Sequence, residues 1–124
     1  MAALIQSVTS AGQRAIVRGM EQPRIEFFFD IGSPYSYLAA TQMDGLAERT
    51  GAAVVWRPFL LGGAFKATGN DMPARVRAKG RWMVDDIALW ATLYGVPFKL
   101  NSKFPLNTIT TMRALTAAPE PAVP

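Results

Sequence analysis

The stretch Ile25–Leu38, Ile-Glu-Phe-Phe-Phe-Asp-Ile-Gly-Ser-Pro-Tyr-Ser-Tyr-Leu, leaves the chain little choice about how to begin folding. Residues 25–29 are apolar and aromatic over a short run, which suits a buried strand better than a helix. Gly32 turns the chain, Ser33 is a good N-cap, and Pro34 suits the first helical position because its missing N–H costs nothing there. Tyr35, Leu38, Ala39, Gln42, Met43, Leu46 and Ala47 then recur at helical spacing, with Arg49 in the last turn and Gly51 as C-cap. Ala53-Val54-Val55-Trp56 gives a second buried strand, stopped by Pro58. Strand, helix and strand joined this closely form a parallel, right-handed βαβ unit. In such a sheet the ligand site lies beyond the strand C-termini, so the Gly32-Ser33 turn takes the functional position. The helix that starts there presents unpaired N–H groups and a partial positive charge, which favour a bound anion.

Beyond the second strand, Phe59 to Pro73 reads as irregular, punctuated by Gly62-Gly63 and Gly69-Asn70-Asp71. A second helix is expected at about Arg81 to Tyr94, with Met83, Ile87, Trp90 and Tyr94 on one face and Gly95 and Pro97 ending it. Trp82 and Trp90 are core residues by default. A third helix is expected over Leu106 to Ala117, which the Pro-rich tail cannot continue. The organisation expected is therefore an N-terminal extension over residues 1–23, a folded unit over 24–117 and a tail over 118–124. The first nineteen residues, with Arg14, Arg18 and no acid, also match an organelle transit peptide loosely, and Met20 could itself be a start.

Two absences prune the chemistry most. The 124 residues, half of them hydrophobic, suffice for one modest globular domain but include no Cys and no His. Disulfides, thiolate metal sites, thiol nucleophiles and Ser-His-Asp catalysis are thereby excluded, and no metal site is expected. The net charge of +4 suits anionic partners. Its one basic run, Arg75, Arg77, Lys79 and Arg81, lacks the aromatic interleaving or helix-turn-helix context of a nucleic-acid binder. A solvated helix start explains that run without any ligand. No apolar stretch approaches the roughly 20 residues needed to span a bilayer, so no membrane partner is expected.

Phe29-Asp30-x-x-Ser33-Pro34-Tyr35-Ser36-Tyr37-Leu38 resembles the start of 2-hydroxychromene-2-carboxylate isomerases and kappa-class glutathione transferases. These are thioredoxin-like proteins related to bacterial disulfide oxidoreductases, with a helical segment inserted into the fold. Gly69-Asn70, Pro73, Lys79-Gly80, Trp90, Tyr94-Gly95-Val96-Pro97 and Phe104-Pro105-Leu106-Asn107 follow the same family order, so the resemblance covers about Ile25 to Leu115. Where a thioredoxin-like oxidoreductase carries Cys-x-x-Cys, this chain has Ser33-Pro34-Tyr35-Ser36, so disulfide exchange by its own cysteines is excluded.

The resemblance implies a cytoplasmic, glutathione-dependent isomerase of aromatic catabolism acting on a small aromatic carboxylate. It assigns Ser33 as the catalytic serine, whose hydroxyl bonds the glutathione sulfur so that the helix N-terminus favours the thiolate. In the family that thiolate adds reversibly to the conjugated substrate, a ring bond opens and rotates, and the sulfur leaves. Asn70 and Lys79 match positions that hold glutathione or the substrate carboxylate, and Tyr35 is placed against the substrate. Each has a plainer alternative: Ser33 as N-cap only, Lys79 in a solvated run, and Tyr35 as an amphipathic core residue, with Ser36 structural.

The fold class implied is α/β, a thioredoxin-like βαβ unit with the start of a helical insertion. The family's closing half, with two more strands, a cis-proline loop and a terminal helix, finds no match after Leu115. The expectation is a truncated chain whose Phe27, Phe28, Phe29, Val54 and Val55 need cover, favouring self-association or a homo-oligomer. A kappa-like transferase, and a non-catalytic remnant that recruits a partner through its sheet edge, are the alternatives.

Overall fold

A computed structural model of the chain describes residues 22–118. The elements run β1 (Arg24–Phe29), α1 (Pro34–Thr50), β2 (Ala53–Pro58), α2 (Leu61–Thr68), a single 3₁₀ turn (Pro73–Arg75), α3 (Arg77–Tyr94) and α4 (Ile109–Ala117). The expected N-terminal extension falls outside the described residues except for its last positions, as does all of the Pro-rich tail but Ala118.

The opening βαβ unit forms as the local chemistry dictates. The Ser33 side chain accepts from the Ser36 N–H at 3.2 Å, Pro34 occupies the first turn, and α1 ends on Gly51 with φ of 68°. β1 and β2 pair in parallel, with Ile25 opposite Val54 and Phe27 opposite Trp56. The core lies between helices: Leu38 of α1 meets Met83, Ile87 and Ala91 of α3, and Ala74, Val96, Phe98 and Phe104 pack around them.

The structure corrects the sequence reading in several places. Residues 61–68 are helical, not irregular. Leu60 provides no side-chain cap, but Asp30, far away in sequence, accepts from the Leu61 N–H at 2.9 Å. That long-range cap offsets the conformational cost of Gly62 and Gly63. Helix α3 begins at Arg77 rather than Arg81, because the 3₁₀ turn leads straight into it. Gly80 allows this, since a Cβ there would sit 3.2 Å from the Ala74 carbonyl oxygen. Helix α4 begins at Ile109 rather than Leu106.

Trp82 and Trp90 are not core residues; Trp82 is 66% exposed. Met83, Ile87 and Ala91 repeat every fourth residue and make a narrow line, wide enough to meet one helix but too narrow to take in the tryptophans beside it. Trp90 instead packs on Tyr94, ring centroids 5.4 Å apart. Nor is β1 fully buried. Its residues alternate between exposed and half-buried, because the sheet has two strands among the described residues and helices cover only part of it. Phe27, Phe29 and Trp56 cover one another edge to face, while Phe28 is 57% exposed.

Candidate functional site

The turn from β1 into α1 is built around Asp30, a polar residue only 3% exposed. One carboxyl oxygen, Oδ1, accepts from the Gly32 N–H at 2.9 Å, an Asx turn within the loop. The other, Oδ2, accepts from the Leu61 N–H at 2.9 Å and the Thr108 hydroxyl at 3.1 Å. One side chain thus ties together the start of α1, the start of α2 and the loop before α4. Ser36 reinforces the turn, its Oγ accepting from the Asp30 N–H at 3.4 Å. Gly32 is required by the same closeness: a Cβ there would lie 2.9 Å from Thr108 Cγ2.

These ties frame an open, largely apolar cleft of about 800 Å³, lined among others by Ser33, Tyr35, Asn70, Leu61, Phe104 and Leu106. Ser33 Oγ uses a lone pair on the Ser36 N–H, so its own hydroxyl hydrogen remains to be donated. Asn70 reaches the rim because α2 ends at Gly69, φ 67°, and its Oδ1 accepts from the Asp71 N–H. Its NH₂ has no partner among the described residues. The Phe104–Pro105 peptide bond, cis, belongs to the same wall. The resemblance puts the family's cis-proline in a later segment than this one.

Tyr35 lines the cleft too, but its hydroxyl is committed: it donates to Asp86 Oδ2 of α3 at 2.9 Å. Desolvation first, then the hydrogen bond and negative charge of Asp86, push its pKa up to about 12, so it stays a neutral donor. What Tyr35 offers a ligand is its ring.

Of the residues singled out in the sequence, Ser33, Tyr35 and Asn70 therefore share one cleft, whereas Lys79 is exposed in the early part of α3 and is not part of its lining. The cations that do line it are Lys66 of α2 and Arg75 of the 3₁₀ turn, the latter paired with Asp71 at 3.0 Å. Sequence reasoning passed over Asp30, Lys66 and Thr108. An Asp two residues before a Gly at a strand end is a turn signal that could have pointed to Asp30. Nothing local announces Lys66, which sits on a helix the sequence does not predict, or Thr108, whose bond to Asp30 spans 78 residues. No helix among the described residues is long and apolar enough to cross a membrane.

Comparison with known proteins places this architecture. The family of DSBA-like thioredoxin domains matches residues 24–123. A 2-hydroxychromene-2-carboxylate isomerase of Sphingobium xenophagum is 39% identical over 82 residues, 64% of this chain and 42% of that protein. Glutathione S-transferase kappa 1 of Rattus norvegicus is 35% identical over 101 residues, 77% of this chain and 45% of that one. A solved 2-hydroxychromene-2-carboxylate isomerase structure superposes with a TM-score of 0.59 at 29% identity, over 64% of this chain and 40% of its own. The chain thus spans less than half the length of these relatives.

Proposed function

Because the chain belongs to the family of DSBA-like thioredoxin domains, we propose that it binds glutathione in the large cleft and serves a glutathione-dependent isomerisation of the 2-hydroxychromene-2-carboxylate type. The observation that carries this reading is Ser33. In a chain without cysteine, its hydroxyl faces the cleft at a helix N-terminus, braced by the Ser36 N–H, with its proton free to donate. Similarity to both isomerases and kappa transferases supports it.

The residues present fit such a cofactor. A cleft of about 800 Å³ is ample for a small ligand. Lys66 and Arg75 provide positive charge for the carboxylates of a tripeptide, and the Asn70 amide offers donors to its backbone. Lys79, outside the lining, adds only longer-range positive potential. Bound glutathione would supply a thiolate nucleophile. The chain's own part is to keep that sulfur ionised: Ser33 Oγ–H donates to it, and the first turn of α1 stabilises its negative charge. Asp30 holds the turn that aims both. The reaction would belong to cytoplasmic breakdown of aromatic compounds.

The competing reading is a kappa-like glutathione transferase, favoured by the longer aligned stretch in the rat relative. Products separate the two: an isomerase returns glutathione unchanged, a transferase leaves a thioether conjugate. Binding itself is tested by titrating reduced glutathione and following thiolate absorbance. The Ser33→Gly variant keeps most of the helix cap, costing only a few tenths of a kcal/mol, yet loses the hydroxyl. The expected result is saturable binding with a raised thiolate fraction that falls in Ser33→Gly at unchanged stability. No saturable binding to the parent chain would end the proposal.

A further inference from the structure

A second, smaller cleft of about 400 Å³ adjoins the first. The two share Gly32, Ser33 and Pro34 from the turn and Phe104 and Leu106 from the loop facing it, so Ser33 stands where they meet. Their linings otherwise differ in kind. The large cleft gathers Lys66, Arg75 and Asn70, several charged and amide groups suited to a peptide-like ligand. The small one is walled by the rings of Tyr37, Phe98 and Phe104 with Leu100, and carries one cation, Lys99.

Its shape is held by fixed groups. Tyr37 donates its hydroxyl to the Pro97 carbonyl at 2.6 Å, and its ring lies 6.2 Å from that of Phe98. Phe98 and Phe104 in turn pack on the core of Leu38, Met83, Ile87 and Ala91. Lys99 has no carboxylate partner among the described residues, so its charge is available.

We infer that the small cleft is the site for a flat aromatic carboxylate, its ring against Tyr37, Phe98 and Phe104 and its carboxylate paired with Lys99. This rests on the reading of the large cleft as the glutathione site and names where the second reactant sits relative to it. Two ligands in adjoining clefts would each reach the shared wall at Ser33. A rigid ring with one carboxylate matches apolar walls with one cation. Tyr35, expected against the substrate, lies in the large cleft and stays on the cofactor's side.

Titration with chromone-2-carboxylate, an unreactive ring carboxylate, tests this in the full chain, alone and with saturating reduced glutathione. Saturable binding whose affinity is unchanged by glutathione is expected. Lys99→Gln should weaken it roughly 3-fold to 5-fold and Lys99→Glu about 10-fold, as for a partly exposed ion pair. Both variants alter an exposed side chain and should leave glutathione binding within about 2-fold, the range of an indirect charge effect. Competition between the two ligands, or indifference to Lys99→Glu, overturns the inference. Lys99-dependent binding without any glutathione binding supports the small cleft while ending the proposal for the large one.

Discussion

The two sides of this fold are closed to very different degrees. Between α1 and α3, Leu38, Met83 and Ala91 surround Ile87, which is 0% exposed. Across the β1–β2 sheet, by contrast, no residue of either strand is buried, Phe28 is 57% exposed and Trp56 is 42% exposed. The helical side has the interlocked apolar contacts that give a unique packing; the sheet side has aromatic rings covering one another and water covering the rest. The proposed site lies at the seam, held by polar ties to Asp30 rather than by depth of burial. Cohesion in this chain comes from the helical insertion, while the sheet mainly presents the turn.

The sharpest way to break that contrast is to remove one side chain from each side. Ile87→Ala should cost about 2–5 kcal/mol, the range for a fully buried aliphatic, read as a large drop in the denaturation midpoint. Phe28→Ser should cost far less and should reduce self-association, measured by light scattering during size exclusion. Equal costs for the two would erase the distinction.

At the seam, Asp30→Ala strands the Gly32 and Leu61 N–H groups and the Thr108 hydroxyl. The expected cost is about 2–4 kcal/mol, since each buried donor left without a partner costs roughly 1–3 kcal/mol and water can reach some of them through the open cleft. Glutathione binding should weaken with it. Asp30→Asn, which keeps an acceptor, should fall between it and the parent.

Smaller effects follow from titration. Tyr35 has a folded-state pKa of about 12 against an ordinary 10.0, so its contribution is complete below pH 10 and is lost as pH rises toward 12. Subtracting the tyrosinate absorbance titration of Tyr35→Phe from that of the parent should give a single group titrating near 12. A midpoint near the ordinary value would show that Tyr35 and Asp86 are not joined.

The smallest effect belongs to the open sheet. Arg57 holds the Glu26 carboxyl below its usual value of 4.5 through a hydrogen bond and its positive charge, at 2.8 Å. The folded pKa is lowered, so this contribution is present above 4.5 and disappears as pH falls through the lower folded value. Arg57→Ala should flatten that acid limb slightly, an effect salt should mask.

Much of this architecture was legible locally. The strand ending at Phe29, the cap at Ser33 with Pro34, and the C-caps at Gly51 and Gly95 each follow from one residue and its neighbours. Ser33 was legible as a site for the same reason: a helix N-terminus beyond a parallel strand presents donors whatever surrounds it. Legibility failed wherever a distant residue decided the outcome. Helix α2 depends on Asp30, the exposure of Trp82 and Trp90 on which helix α3 meets, and the start of α4 on how closely Thr108 approaches Gly32.

The sequence by itself determined the βαβ unit and the serine at its turn, because backbone capping and hydrophobic period act within a few residues. Only the tertiary structure decided which cations line the cleft, putting Lys66 and Arg75 there and leaving Lys79 outside, and that a second cleft with Lys99 shares the Ser33 wall. The physical reason is range. Capping bonds join neighbours along the chain, whereas a cleft is the space between segments that meet only when Asp30 binds the start of α2 and the loop before α4 at once.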